Sequence, residues 1–270
     1  MAEKKTVLFI GCGNMGAALA GGYARRHPET EVVAIDRDPA RASSLLPSDS
    51  GVRVYSRIED VADVRPSIVV LALKPQVLGE ALGGFLAVCR DALVVSIAAG
   101  ASLARLAQNL GSHRRLVRAM PNLPVVVGQG MSTLYGEGLS ESDRELASAL
   151  FAAVGEVAWV NSETQIDLAT AVAGSGPAYF FAIVDHLAQA GVANGLAPEL
   201  AARLARQTCI GAASLMANDA RSAGELRAAV CSPGGTTEAG LAAMEHEGAL
   251  PGILANGVAA AYARAGELAD

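Results

Sequence analysis

Common catalytic and metal-binding signatures are missing from this sequence. There is no H-E-x-x-H, no nucleophilic serine elbow and no histidine–aspartate pair at a useful spacing. His27 sits beside a turn, His113 in a basic loop, His186 within a helical pattern and His246 near a helix end, all places where surface or packing roles suffice. Cys12, Cys89, Cys209 and Cys231 are scattered without metal-ligand spacing, so no metal is expected and they read as reduced thiols of a cytoplasmic protein. Aromatics are only 4% of residues against 51% hydrophobic, so the core must be aliphatic and rich in alanine. No basic run occurs and the net charge is −6, which argues against nucleic acid as a partner. No stretch approaches the ~18 unbroken apolar residues of a membrane span, so no membrane partner is expected. Lys4 and Lys5 precede an apolar run, but one too short for a signal peptide.

Residues 7–16, V-L-F-I-G-C-G-N-M-G, organise the rest. Four apolar residues run straight into Gly11, Gly13 and Gly16, and a helical pattern starts at once behind them. In a dinucleotide-binding loop the first glycine makes the tight turn. The second lets a pyrophosphate approach the backbone, and the third lets helix and strand pack closely. The helix N-terminus then offers free N–H groups and a positive dipole end to the phosphates. The second strand, 31–36, ends in Asp36. A carboxylate there commonly bonds the ribose 2′-hydroxyl of NAD, whereas an arginine nearby can hold the 2′-phosphate of NADP. Both are present, as Asp36 and Arg37, and the contest stays open at this level.

Further strands are predicted over 52–55, 68–73, 93–97, 116–120 and 157–160. Residues 125–135 read as extended and glycine-punctuated. Helices are predicted from Pro39, from the Ser102 cap, and from Ser140, where Asp143 completes a capping box. Alternating strands and helices imply a mostly parallel, doubly wound sheet of Rossmann type. After Asn161 no convincing strand remains. Helices are expected from 162, from Pro177, over 198–218, from Ser222, over 236–247 and over 250–269. The fold class is therefore α/β with an all-α C-terminal domain. The domains are placed at 1–160 for the dinucleotide and 161–270 for a helical substrate-binding and dimerisation domain. The helical half carries Gly191, Gly211 and Gly257 and many alanines inside its helices. Interior glycine costs a helix ~1 kcal/mol, so close helix–helix packing has to compensate, and at least a homodimer is expected.

Three other places can carry chemistry. Lys74 follows a buried strand, at the end where ligands bind in open α/β sheets; it is either a cofactor neighbour or a solvated lysine. Residues 173–179, A-G-S-G-P-A-Y, make a second open turn at a helix start, which serves either packing or a ligand. Residues 230–237, V-C-S-P-G-G-T-T, lead into a helix. Gly235, Thr236 and Thr237 there form a second anion-binding helix N-terminus or a plain glycine-rich cap. With no basic residue, it suits one carboxylate better than a phosphate cluster. A dinucleotide site without a strong acid or base nearby fits hydride transfer to a substrate that is already electrophilic.

These segments, with K-P at 74–75, V-V-S-I-A-A-G at 94–100 and R-A-M-P-N at 118–122, resemble in order and spacing the pyrroline-5-carboxylate reductase family, over essentially the whole chain. The resemblance implies reduction of the cyclic imine L-1-pyrroline-5-carboxylate to L-proline with NADPH or NADH. It implies that Ile10, Gly11, Cys12, Gly13, Asn14 and Met15 hold the pyrophosphate. Ala72, Lys74, Ser96, Ile97, Ala98 and Ala99 would flank the nicotinamide half. Gly235, Thr236 and Thr237 would bind the substrate carboxylate, with the Thr237 hydroxyl beside the imine nitrogen and Glu163 near the substrate. It also implies dimers through C-terminal helices, often assembled into decamers. The chain departs from the family pattern at Arg57, Leu123, Ala173 and Ala229, where asparagine, threonine, serine and an acid or amide are usual. Two alternatives remain. A β-hydroxyacid dehydrogenase would need a lysine within 162–194, where there is none. A non-catalytic dinucleotide-binding redox sensor is separated only by assay.

Overall fold

The computed structural model describes residues 5–269; Lys4 lies outside them. In chain order the elements are β1 (Thr6–Ile10), α1 (Asn14–Arg26), β2 (Glu31–Ile35), α2 (Pro39–Leu45), β3 (Arg53–Tyr55), β4 (Ile68–Leu71), α3 (Pro75–Leu82), α4 (Leu86–Cys89), β5 (Leu93–Ser96), α5 (Leu103–Asn109), β6 (Leu116–Met120), β7 (Gly130–Tyr135), α6 (Glu141–Ala152) and β8 (Gly155–Trp159). The strands form one sheet in the order β3-β2-β1-β4-β5-β6-β7-β8. All neighbours pair in parallel except β6 and β7. The sheet is covered on both faces, which is why β1 is buried at every position: Val7 and Phe9 enter one core with Leu19 and Phe151, while Leu8 and Ile10 enter the other with Leu82 and Leu106.

The 125–135 segment is not uniformly extended. Leu123–Val127 forms a 3₁₀ turn, and Gly128, at φ 72°, ends it. The chain then reverses into β7, which Asn122 anchors by accepting the Met131 N–H at 2.8 Å. The 75–89 region, given no element from sequence, holds α3 and α4.

Helices α7 (Glu163–Ala169), α8 (Gly176–Ala193), α9 (Pro198–Asn218), α10 (Ala223–Ala229), α11 (Thr236–Glu245) and α12 (Ala249–Ala269) complete the chain. The expected open turn at 173–179 is not one. Thr170–Gly174 is a π-helical segment inside a continuous helical run, Glu163–Ala193. Pro177 has no N–H to donate to the carbonyl of Ala173 four residues back. That carbonyl instead accepts from Asn122 Nδ2 at 3.0 Å. Gly174 sits where a Cβ would come within 3.4 Å of Met120 Cε.

Two compact units result: one through Ser175 together with the last residues from Ala261, and a second, Gly176–Ala260. Within the second, α8 and α9 pack at small residues. A Cβ at Gly191 would lie 3.4 Å from that of Ala201, and Ala201 and Ala205 are buried. Elsewhere many of the unit's large apolar side chains face out: Phe180 is 58% and Phe181 62% exposed, and Leu187, Ile210 and Ile253 are exposed as well. The Glu163–Ala193 run is long and apolar enough to cross a membrane by length and composition, at mean hydropathy 1.3. Its charged residues Glu163, Asp167 and Asp185 and the exposed Phe pair also fit a helix that packs against protein.

Candidate functional site

The carboxyl ends of β2, β1, β4 and β5 lie side by side in the sheet. Between β1 and β4 the strand order changes direction, the crevice where open α/β sheets bind ligands. Ile10, Gly11, Cys12, Gly13, Asn14, Met15, Asp36, Arg37, Ala72, Lys74, Ser96, Ile97, Ala98 and Ala99 all lie along this edge.

The three glycines of the loop meet three different constraints. Gly11 has φ 94°, and a Cβ there would lie 2.5 Å from the Ala72 carbonyl oxygen. A Cβ at Gly16 would lie 2.6 Å from the Gly11 carbonyl oxygen, so helix and loop touch there. At Gly13 a Cβ would meet nothing within 4 Å. Packing within the chain does not demand that glycine, and its open side leaves the backbone accessible. Gly13 is also the N-cap of α1, and the first helical bond runs from Ala17 N–H to its carbonyl. The N–H groups of Gly13, Asn14 and Met15 have no protein partner among the described residues. The loop therefore fits a diphosphate.

The Cys12 side chain is not part of that surface. It is buried, and burial together with the nearby Asp36 carboxylate pushes its thiol up to about 11. Its N–H donates to Asp36 Oδ2 at 2.8 Å, and Asp38 N–H donates to Asp36 Oδ1 at 3.0 Å. Asp36 Oδ2 thus braces the glycine loop, and Oδ1 braces the turn that follows β2. Arg37 is exposed, with no ion pair among the described residues. Arg57 is drawn to Glu59 at 3.0 Å. Lys74 is exposed just past β4, where Ala72 N–H donates to the Ile10 carbonyl. Ser96 is buried at the end of β5 and accepts the Ala98 N–H, turning the chain toward Gly100.

Glu163 begins α7 and belongs to the sheet-bearing unit. Its Oε1 accepts from the Leu103 N–H at 2.8 Å and from Arg118 Nη1 at 3.2 Å. Arg118, Asp167 and Asn122 carry much of this local geometry; the sequence assigns them no role, although Arg118 and Asn122 fall in the R-A-M-P-N segment. The available signal was a lone arginine inside an otherwise apolar strand.

Gly235, Thr236 and Thr237 lie in the second unit. Gly235 is the N-cap of α11, and Thr236 and Thr237 are exposed. Gly234, at φ 71°, closes the turn, and the Gly235 N–H donates to the Ser232 carbonyl. The first helical bond runs from Ala239 N–H to the Gly235 carbonyl, so the Thr236 and Thr237 N–H groups have no protein partner among the described residues. Such an end can take one anionic group.

Comparison with known proteins bears on both units. Residues 163–268 match a family model described as pyrroline-5-carboxylate reductase dimerisation, and residues 6–100 match one described as NADP oxidoreductase, coenzyme F420-dependent. The pyrroline-5-carboxylate reductase of Pseudomonas aeruginosa is 39% identical over 98% of this chain and 97% of its own. That of Pisum sativum is 38% identical over 99% and 97%. A solved pyrroline-5-carboxylate reductase from Coxiella burnetii, 33% identical, aligns with a TM-score of 0.90 over 99% of this chain and 100% of that one. A Plasmodium falciparum pyrroline carboxylate reductase solved with NADP bound, 28% identical, aligns at 0.80 over 99% of each chain. With such identity running the length of both partners, the chain belongs to the pyrroline-5-carboxylate reductase family.

Proposed function

We propose that this protein reduces L-1-pyrroline-5-carboxylate to L-proline, the final step of proline biosynthesis, with NADPH as cofactor and NADH as a second one. The observation that carries the reading is the pair of helix N-termini whose first amides have no protein partner among the described residues, at α1 and at α11, in a chain of this family.

The residues are assigned as follows. The amides around Gly13, Asn14 and Met15 hold the pyrophosphate, with Ile10, Gly11 and Cys12 shaping the loop. Arg37 takes the 2′-phosphate of NADP, because the Asp36 carboxylate already accepts two backbone N–H groups. Ala72, Lys74, Ser96, Ile97, Ala98 and Ala99 line the nicotinamide half. Gly235, Thr236 and Thr237 bind the substrate carboxylate through the end of α11, and Glu163 contacts the substrate. When bound, the reduced nicotinamide supplies a hydride to the imine carbon. The Thr237 hydroxyl orients the imine nitrogen and relays a proton to it through water. Orientation and fixed dipoles supply most of the rate enhancement, since no residue acts as a strong base.

The division of labour runs near residue 160, ahead of the compact-unit limit at Ser175. α7 still packs on the sheet through Arg118, although the dimerisation match already begins at 163. The exposed faces of α8, α9 and α12 form the homodimer, and dimers assemble further into a decamer in the cytoplasm.

A progress curve at the absorbance band of the reduced cofactor tests the activity. With pyrroline-5-carboxylate the signal should decay, with one proline formed per cofactor oxidised. No decay with either NADPH or NADH would point to a dinucleotide sensor.

A further inference from the structure

Arg118 sits in the middle of the sheet, on β6, with its side chain only 5% exposed. A guanidinium in that setting is strongly unfavourable unless it is paired on every side. Two acids pair it. Nη1 reaches Glu163 Oε1 at 3.2 Å, and Nη2 reaches Asp167 Oδ1 at 2.5 Å. The acids are four residues apart on α7 and so share one face of it.

The manner of pairing is informative. Both bonds to Glu163, from Arg118 and from the Leu103 N–H, arrive at Oε1. Oε2 accepts no hydrogen bond among the described residues, and the side chain is 29% exposed. One oxygen is fixed by a buried cation and a backbone amide, and the other is left as an oriented acceptor. Asp167 holds the far side of the guanidinium and keeps it from turning away. Arg118 also lies opposite Ser96 in the β5–β6 register, and Leu103 follows the 96–100 turn.

We propose that Arg118 is a positioning residue for the reaction, fixing Glu163 so that its free Oε2 stays available to the protonated nitrogen of the imine. Arg118 itself touches no substrate; it acts through Glu163. The proposal rests on the reading of Glu163 as a substrate-binding residue. It adds the reason that this carboxylate is held in one orientation. A buried cross-link between β6 and α7 with no role in the reaction would change stability without separating substrate from cofactor.

The test uses the full-length enzyme carrying Arg118→Met, Arg118→Lys, Glu163→Gln and the Arg118→Met/Glu163→Gln pair. KM for the imine, kcat and the NADPH Kd without substrate are measured for each. Arg118→Met should raise imine KM by about tenfold with NADPH Kd within about twofold. Arg118→Lys keeps the charge but not the fork, and should fall between it and wild type. In the Glu163→Gln background, Arg118→Met should add less than about twofold, because its effect passes through that carboxylate. Multiplicative effects of the two substitutions, or equal loss of imine and NADPH binding, would overturn the proposal. If Arg118→Met does not fold, the Lys variant decides: imine KM unchanged against wild type rejects the positioning role. Unchanged imine kinetics in Glu163→Gln would remove the reading of Glu163 and this proposal with it. A raised KM in Glu163→Gln alone would remove only the proposal.

Discussion

The two compact units treat apolar surface in opposite ways. In the sheet-bearing unit β1, β4 and β5 are buried at every position, and helices cover both faces. In Gly176–Ala260 the helices also carry large apolar side chains, but Phe180, Phe181, Leu187 and Ile210 face outward. Small residues sharpen the contrast. Gly11 and Gly16 are pressed against backbone, whereas Cβ atoms at Gly211 or Gly257 would meet nothing within 4 Å of the same chain. One unit has a finished core; the other presents half of one. A monomer rarely exposes a contiguous apolar surface of this kind without a partner to cover it. The sheet-bearing unit closes its own core, whereas the helical unit leaves an apolar face for a second copy to cover.

Charge placed on the open face of the helical unit should have the largest effect. Phe180→Glu with Phe181→Glu should leave the chain monomeric and nearly inactive. Each ring forfeits about 1.5–3 kcal/mol of burial, and each carboxylate resists desolvation. NADPH binding, followed by fluorescence, should persist in that monomer if the sheet-bearing unit stands alone.

Within the finished unit, neighbouring glycines should separate fold from function. Gly13→Val should keep its Tm but weaken NADPH binding about 100-fold, since the added methyls occupy the phosphate cradle. Gly11→Ala should instead lose about 1–3 kcal/mol of stability, from a Cβ forced toward the Ala72 carbonyl at positive φ. Thermal melts and titrations on both variants check the split.

Thr237→Ala probes the helical unit's contribution to chemistry. It should lower kcat with imine about tenfold and leave NADPH Kd unchanged. Unchanged kinetics would refute its role. Arg37→Ala should lower kcat/KM with NADPH about tenfold and leave NADH nearly untouched. A parallel loss with both cofactors would return the ribose contact to Asp36.

The smallest effect concerns the back of the finished unit. The Arg115 guanidinium, ahead of the Ser140 cap, holds the Asp143 carboxyl below its ordinary 3.8. Because the folded value is depressed, this contribution is full above the unfolded value and is lost as pH falls through the folded one. Asp143→Asn should cost on the order of 1 kcal/mol at neutral pH. The Tm gap from wild type should close as the solution is taken below about pH 3.8.

The β1–α1 edge of the sheet is legible because its signals are local. An apolar run meeting G-x-G-x-x-G specifies strand, turn and helix within a dozen residues or so. The capping boxes at Ser140 and Ser222 mark helix starts in the same way. What escaped depends on partners far along the chain. Arg118 finds its acids 45 and 49 residues later. β7 runs antiparallel because Asn122 and Gly128 reverse the chain, and nothing within residues 130–135 records that direction. The 173–179 segment reads as an open turn because glycine and proline usually punctuate. Here Asn122 satisfies the carbonyl that Pro177 strands, and the helix continues. The roles proposed for Thr237 and Glu163 rest on family resemblance, since a helix N-terminus alone names an anion and not a reaction.

Sedimentation velocity on the pure protein, at concentrations down to those used for assay, tests the central contrast most directly. The account predicts a species of at least twice the 27.4 kDa of one chain, persisting on dilution. A fully active species of 27.4 kDa would contradict it, because the exposed faces of the helical unit would then need no second copy.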